Sequence, residues 1–297
     1  MSLIIGTMIL LASASTAKVT FVASPPSRIV ATTAPGQYVY FPQTLQRVGN
    51  QSLLCSIQSD ADGIHPNGWT GRQFASADDG ATWSEVSQPA GFPWLVKPCL
   101  ATGDGLGVTC LSYPLQVMLE DKRTASIQRA RFTLASGSSL LLESALPDSI
   151  VTFPEGREPM VWSNSSIFRM VTDGNIMSTA GEDGSSSSLL IMNIYGNYAV
   201  DGGDDEVASS IVTVQSDDEG ARWRWRSDVA RPDPTKATPC YMPSESHMAR
   251  LANRSLLTVW RSVGADSPLC SSVSNDEGLS WSAPRPLSSG GVHGVEP

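Results

Sequence analysis

The sequence predicts an all-β protein assembled from repeated four-stranded sheets, which is the architecture of a β-propeller. Three observations lead to this prediction. Short segments with alternating apolar and polar residues recur along the chain, and turn-forming residues separate them. Beyond the N-terminal segment, almost no stretch has helical periodicity. Finally, the pattern Ser-x-Asp-x-Gly-x-x-Trp occurs three times, beginning at Ser76, Ser216 and Ser274.

The composition is that of a globular protein with a well-filled core. The chain has 297 residues, of which 41% are hydrophobic and 16% charged, so it is not disordered. The formal net charge is −9. Because phosphate binding requires clustered Lys and Arg, nucleic acid is not expected as a partner.

Residues 1–17 are expected to form a secretory signal peptide. The apolar run Leu3 to Ala14 has the length of a signal-peptide core, and small residues precede a cut after Ala17. A transmembrane helix needs about 20 apolar residues, which is more than this run provides. The protein is therefore expected to be secreted, extracellular or lumenal, without a stable membrane span once the signal is removed. An uncleaved N-terminal anchor is the alternative.

The five cysteines suit an oxidising compartment. Proximity in sequence predicts the pairs Cys99–Cys110 and Cys240–Cys270, which leaves Cys55 without a partner. None of the spacings is CxxC, so zinc is not expected.

Strand-like segments can be followed along the whole chain. They include QSLLCSIQS, LGVTCLSY, RARFTLAS, IVTVQS and SLLTVWRS. The segments VGN, TDGN and LANR lie at comparable points of three units and are predicted to be turns between strands. These positions divide the chain into repeating strand-turn-strand units.

The repeated pattern has a physical explanation as a hairpin. Its glycine can adopt a positive φ, its aspartate can bond nearby backbone amides, and its tryptophan can bury a large ring beside the turn. The predicted structural residues are Ser76, Asp78, Gly80, Trp83, Ser216, Asp218, Gly220, Trp223, Ser274, Asp276, Gly278 and Trp281. Asp-x-Asp-x-Gly also resembles the start of a calcium loop, but no Glu follows at the twelfth position, so no metal site is expected.

The spacing of these hairpins suggests the number of sheets. The aspartates of the second and third copies are 58 residues apart, and those of the first and second are 140 apart. A propeller blade takes about 40–50 residues, so the longer interval accommodates two or more blades. The chain is expected to hold about four blades and the start of a fifth.

The hairpin pattern resembles the Asp box, or BNR repeat, of the sialidase (neuraminidase) superfamily. The resemblance implies a six-bladed propeller in which these hairpins lie away from the active site. Residues 18–297 would then form a sialidase-like propeller that is incomplete at its C-terminal end.

A second segment carries a more specific resemblance. ESHMARLANRSLLTVWR, from Glu245 to Arg261, resembles a sialidase segment that begins with a Glu and ends with an Arg. In that family the Glu assists a tyrosine nucleophile, and the Arg is one of three that hold the carboxylate of sialic acid. The resemblance implies a catalytic role for Glu245, substrate binding by Arg261, a sialylated glycan or other carbohydrate as partner, and no cofactor.

The N-terminal blade departs from the family pattern. Tyr40 stands where the family has the first carboxylate-binding Arg, and Gln58 lies near the position of another Arg that precedes the family's acid/base Asp. Arg47 and Arg72 are the candidates to replace the missing cation. Asp62 is the preferred acid/base residue. Asp60 and an ordinary turn formed by the segment DADG are the alternatives.

These features predict a glycoside hydrolase of the exo-α-sialidase type that acts on terminal sialic acids. Tyr40 and the absence of the family's C-terminal catalytic part leave activity in this chain open. The alternative is a non-catalytic secreted propeller that binds a glycan or a protein. A third reading is another secreted Asp-box scaffold, in which Glu245 and Arg261 have no functional role.

Overall fold

The structure is a computed structural model. It describes residues 42–48, 52–58, 71–86, 96–102, 107–112, 114–117, 123–134, 140–160, 167–180, 186–198, 209–233, 235, 238–262 and 268–287. The predicted signal peptide, Tyr40, Asp60 and Asp62 lie outside these residues.

The described part of the chain is all β, as the sequence predicts. Its strands are β1 (Pro42–Val48), β2 (Ser52–Gln58), β3 (Gly71–Ser76), β4 (Ser84–Glu85), β5 (Val96–Ala101), β6 (Gly107–Ser112), β7 (Pro114–Val117), β8 (Thr124–Leu134), β9 (Leu140–Thr152), β10 (Ile167–Ala180), β11 (Ser186–Gly196), β12 (Ser210–Ser216), β13 (Arg222–Ala230), β14 (Pro243–Arg250), β15 (Leu256–Ser262), β16 (Leu269–Ser274) and β17 (Arg285–Pro286). In this part of the chain, no helix has the length and apolar character that crossing a membrane requires.

The first and last sheets each contain four antiparallel strands in chain order. The first sheet is β1-β2-β3-β4, and the last is β14-β15-β16-β17, which we call the fourth sheet. In β15 the alternation places Leu256, Thr258 and Trp260 in the interior, while Leu257 and Val259 are half-buried on the other face. This is the period-two pattern of a strand with one packed face.

The middle of the chain forms one nine-stranded sheet instead of separate blades. It contains two antiparallel runs, β5-β6-β8-β9 and β10-β11-β12-β13, and we call the second run the third sheet. The runs are joined because β7 pairs with both β8 and β10, while β9 pairs with both β8 and β13. The central sheet is therefore almost closed on itself.

The first strands of successive units lie next to one another. β1 contacts β5, β5 contacts β10, and β10 contacts β14. Such an order of neighbouring inner strands is typical of a propeller, whose sheets are arranged radially.

Buried side chains hold neighbouring sheets together. The largest cluster contains Phe153, Tyr198 and Trp223, and lies where the two runs of the central sheet meet. Phe132 and Leu54 belong to the cluster between the first sheet and the central sheet. Since each cluster joins strands from consecutive units, burial of apolar surface fixes the relative positions of the sheets.

Both predicted disulfides are confirmed. Cys99–Cys110 joins β5 to β6, and Cys240–Cys270 joins the segment before β14 to β16. Cys55 is a buried free cysteine, and desolvation by burial raises the pKa of its thiol to about 12. A thiol with such a pKa stays protonated and is chemically inert.

The turn predicted at LANR is confirmed, because Arg254 has a φ of 71° between β14 and β15. The turn predicted at TDGN is wrong. These residues lie inside β10, where the register shifts between Asp173 and Met177, so that Gly174 belongs to a β-bulge with a φ of 66°. A bulge and a turn have similar local sequences, and β10 continues because β11 pairs with it on both sides of the irregularity.

Candidate functional site

The three hairpins at residues 76–83, 216–223 and 274–281, called here the tryptophan hairpins, have nearly the same internal bonding. In the first, the Ser76 hydroxyl donates to Asp78 Oδ1 at 2.8 Å and accepts from the Gly80 amide at 2.8 Å. Asp78 also accepts from the backbone amide and the hydroxyl of Thr82 at 2.8 and 2.7 Å. The Trp83 indole N–H donates to the Gly80 carbonyl at 3.2 Å.

The other two hairpins repeat this arrangement. Asp218 Oδ1 and Asp276 Oδ1 accept backbone amides at 2.8 and 2.9 Å. Gly220 and Gly278 both have a φ of 81°. Trp281 differs, since its indole N–H donates to the hydroxyl of Ser227 in the third sheet.

Hydrogen bonds to the first hairpin's carboxylate favour its charged form. The amide and hydroxyl of Thr82, together with the Ser76 hydroxyl, lower the pKa of Asp78 to about 2. Both carboxylate oxygens of Asp78 are used within the hairpin. In the described part of the chain, no group of three His, Cys, Asp or Glu side chains is placed to hold a metal ion. The geometry of the hairpins thus accounts for the repeated residues as a structural device.

Glu245 and Arg261 are brought together at the start of the fourth sheet. Pro243 pairs with Ser262 and Ser246 pairs with Trp260, so Ser244 and Glu245 together oppose Arg261. This is the geometry of a β-bulge, which redirects side chains at the end of a strand pair. Arg261 Nε lies 3.2 Å from Glu245 Oε2.

The ion pair is partly accessible to solvent and incompletely bonded. The side chains of Arg261 and Glu245 are 27% and 35% exposed. The Nε–Oε2 contact lacks hydrogen-bond alignment, so Nε is a buried donor without a hydrogen-bond partner. Among the described residues, neither terminal nitrogen of Arg261 has a hydrogen-bond partner. A guanidinium has five donors, so this group can still bind a ligand.

Buried apolar side chains pack on the face of β15 opposite to Arg261. Trp260, the neighbour of Arg261 in β15, is 1% exposed and packs with Ile211 of the third sheet. Trp260 is paired in register with Cys270, whose disulfide partner Cys240 precedes β14. The strand ends that carry Glu245 and Arg261 are therefore tied to the core on both sides.

The remaining predicted residues lie elsewhere or are already engaged. Gln58 ends β2 and is only 3% exposed. Arg47 pairs with Asp79 of the first hairpin, and Arg72 binds both carboxylate oxygens of Glu85 at 2.8 and 2.6 Å. Both guanidinium groups therefore already have carboxylate partners within the first sheet.

The sequence interpretation missed the residues of the third sheet that contact the fourth sheet near Glu245. Gly174 was assigned to a turn, whereas its bulge lies against Ser246 and His247. Asn193 is the one amide in the apolar strand segment LLIMNIYG and is 1% exposed. A polar residue in such a strand predicts a buried, hydrogen-bonded group, so this signal was available.

Comparisons with known proteins support the fold. No family model and no curated protein matches this sequence. A protein of unknown function from Dyadobacter fermentans is similar in structure, with a TM-score of 0.58 and 16% identity over 87% of this chain and 71% of that one. A levansucrase from Bacillus subtilis has a TM-score of 0.53 and 10% identity over 86% of this chain and 72% of its own.

Trypanosoma rangeli sialidase is also similar, with a TM-score of 0.50 and 13% identity over 86% of this chain. The chain spans 38% of the length of that sialidase. At these identities the similarity shows the fold alone, which is an all-β fold of the propeller type.

Proposed function

We propose that this chain acts as a sialidase-type glycoside hydrolase and binds a terminal sialic acid through Arg261, with Glu245 beside it. The observation that carries the proposal is the partly exposed Glu245–Arg261 pair at a bulge in the first two strands of the fourth sheet. The fold similarity to a sialidase supports the substrate class.

Arg261 suits a carboxylate ligand for geometric reasons. Its Nε faces Glu245, whereas its two terminal nitrogens have no hydrogen-bond partner among the described residues. A planar guanidinium can form two parallel hydrogen bonds with a carboxylate, which a lysine cannot do. Arg261 can thus keep its contact with Glu245 while its outer edge binds the acid group of a sugar.

Glu245 suits the role of a proton acceptor near that acid group. It is held by one ion pair and retains lone pairs that can accept a proton or hydrogen bond from a hydroxyl. In a sialidase this carboxylate assists a tyrosine nucleophile. Asp62 remains a prediction for the acid/base residue.

Binding without hydrolysis is the second candidate. It is favoured by the neutral Gln58, which is buried at the end of β2, and by the engagement of Arg47 and Arg72 with carboxylates of their own sheet. A sialic-acid site with fewer cations would hold the ligand more weakly, because each lost charge-assisted hydrogen bond costs about 1.5–3 kcal/mol. Such a protein would bind sialylated glycans and leave them intact.

Release of a fluorophore from a fluorescent α-sialoside tests the proposal. Relative to wild type, Glu245→Gln is expected to lower kcat by about 10²–10⁴-fold as a general-base loss. Arg261→Lys is expected to raise KM by about tenfold or more, because one of two parallel hydrogen bonds is lost. Arg250→Lys is the matched control, since Arg250 lies on the same strand pair but binds Glu277 at its other end.

The outcomes separate the two candidates. Turnover that falls in Glu245→Gln and Arg261→Lys but not in Arg250→Lys supports the hydrolase. Calorimetric binding of sialyllactose without turnover, abolished by Arg261→Lys, supports the binding protein. If the wild-type chain neither binds sialyllactose nor releases the fluorophore, both candidates are rejected.

A further inference from the structure

We propose that Gly174 and Asn193 of the third sheet are positioning residues that set where Glu245 meets Arg261. The inference deepens the proposed function, since it concerns the same pair. The inference rests on contacts between the third sheet and the residues of β14 on both sides of its bulge, Pro243 and Ser246. Both residues contact Ser246, the residue after Glu245, so each would act through β14.

The first contact is steric. Gly174 lies in the bulge of β10 with a φ of 66°, and a Cβ built on it would be 2.8 Å from the carbonyl oxygen of Ser246 and 3.1 Å from His247 Cα. Only a glycine permits this approach, because the nearest atoms belong to backbone and cannot rotate away. The backbone that follows Glu245 is thus packed directly against β10.

The second contact is a buried hydrogen-bond network. Asn193 Nδ2 donates to the hydroxyls of Ser246 and Thr258 at 3.3 and 3.4 Å, and its Oδ1 accepts from Thr213 at 3.2 Å. All four residues are buried. Ser246 follows Glu245 in β14, and Thr258 lies in β15, so one amide links both strands of the pair to the third sheet.

A third contact holds the other side of the bulge. The hydroxyl of Ser209, the residue immediately before β12, donates to the carbonyl of Pro243. The third sheet therefore fixes Pro243 and Ser246, which flank the two residues that oppose Arg261. A bulge aims its side chains only if its ends are held, because an unpaired residue can otherwise rotate or slip in register.

The chain provides two matched controls. Gly156 has a φ of 76°, but nothing lies within 4 Å of the Cβ that an alanine would add, so Gly156→Ala carries the backbone strain without the collision. The Ser227 hydroxyl of the third sheet also forms a hydrogen bond with the fourth sheet, donating to the Gly278 carbonyl at 2.6 Å. Gly278 lies in the hairpin after β16, whereas Glu245 lies near the start of β14. Ser227→Ala therefore removes a contact between the same two sheets at another place.

Disulfide trapping measures the position of the pair without requiring activity. In a chain carrying Glu245→Cys and Arg261→Cys, mild oxidation is expected to join the two thiols, because side chains opposite each other across antiparallel strands have Cβ atoms about 4.5–5.5 Å apart. Cys55 will not compete, since it is buried. The rate of bond formation is followed by mass spectrometry.

Adding Gly174→Ala or Asn193→Ala is expected to slow trapping by about tenfold or more, since a displacement of about 1 Å is enough for such effects. Gly156→Ala and Ser227→Ala should leave the rate within about twofold, because their contacts lie elsewhere. Circular dichroism confirms that each variant is folded, and Asn193→Ser provides a second, milder test at the same site. Equal rates in the two test variants and their controls would overturn the proposal.

Sialoside kinetics then separates this inference from the function on which it rests. If the wild type hydrolyses the sialoside, Gly174→Ala should lower kcat more than it raises KM, because the proton acceptor is displaced while the outer edge of Arg261 remains accessible. If trapping responds as expected but the wild type shows neither turnover nor binding, the positioning stands and the proposed function fails.

Discussion

Replacing Trp223 by alanine tests whether the tryptophan hairpins hold the sheets together. Trp223 is 1% exposed and belongs to the largest buried cluster, where its indole N–H donates to the Gly220 carbonyl at 3.1 Å. A buried tryptophan removes about 150–250 Å² from water, which at 25 cal/mol/Å² is worth about 4–6 kcal/mol. Residual burial in the unfolded chain reduces this to about 3–5 kcal/mol, which agrees with the usual cost of Trp→Ala.

Trp83 is the internal comparison, because its ring is only half-buried and packs on a small cluster. We expect Trp83→Ala to lower the free energy of unfolding by about 2 kcal/mol, roughly half the loss expected for a fully buried ring. Urea unfolding, monitored by far-UV circular dichroism, measures the stability of the Trp223→Ala and Trp83→Ala variants. With a slope of about 3 kcal/mol per molar, Trp223→Ala should lower the midpoint by about 1 M or more.

A result in which Trp223→Ala lowers the midpoint no more than Trp83→Ala would refute the reasoning. It would mean that ring burial does not determine what each hairpin contributes. Trp223→Phe checks the cause, because it keeps most of the apolar contact and loses the hydrogen bond to Gly220. We expect Trp223→Phe to lower the free energy of unfolding by about 1–2 kcal/mol, well below the loss expected for Trp223→Ala.

Two further predictions concern charged groups in the hairpins. In the folded protein the pKa of Asp78 is about 2, below the ordinary value of 3.8. Its contribution to stability is therefore present above pH 3.8 and is lost as the pH falls toward 2. Between pH 5 and 2, the free energy of unfolding should depend less on pH in Asp78→Asn than in wild type. Arg250 and Glu277 are only 24% and 26% exposed and form two hydrogen bonds, whereas Arg47 and Asp79 are 51% and 62% exposed. In thermal melts, Glu277→Gln should lower the free energy of unfolding by about 1–2 kcal/mol, and Asp79→Asn by less than about 0.5 kcal/mol, because water screens an exposed ion pair. Equal losses of stability in the two variants would contradict this reasoning.

Much of the fold could be predicted from local pattern. Alternating segments such as SLLTVWRS determine strands, and the hairpin glycines predict positive φ values that the structure shows at Gly80, Gly220 and Gly278. Proximity predicted both disulfides. These features depend on interactions within a few residues or between adjacent strands, so the sequence expresses them directly.

The merged central sheet was not predictable in the same way. β9 pairs with β8 along most of its length but also contacts β13 through residues Ile150 to Thr152. The second pairing joins segments more than 70 residues apart, and nothing in either strand specifies the other. For the same reason, the sequence predicted separate blades where the structure has one almost closed sheet.

By itself, the sequence determined the all-β class, the three tryptophan hairpins and the choice of Glu245 and Arg261 as candidates. Only the tertiary structure decided that these two side chains meet at 3.2 Å, and that Asn193 and Gly174 of the third sheet contact Ser246 of β14. The physical reason is that hydrogen bonds in turns and strand periodicity are local. A bulge that aims a carboxylate is instead stabilised by contacts between sheets, which form only when distant parts of the chain pack together.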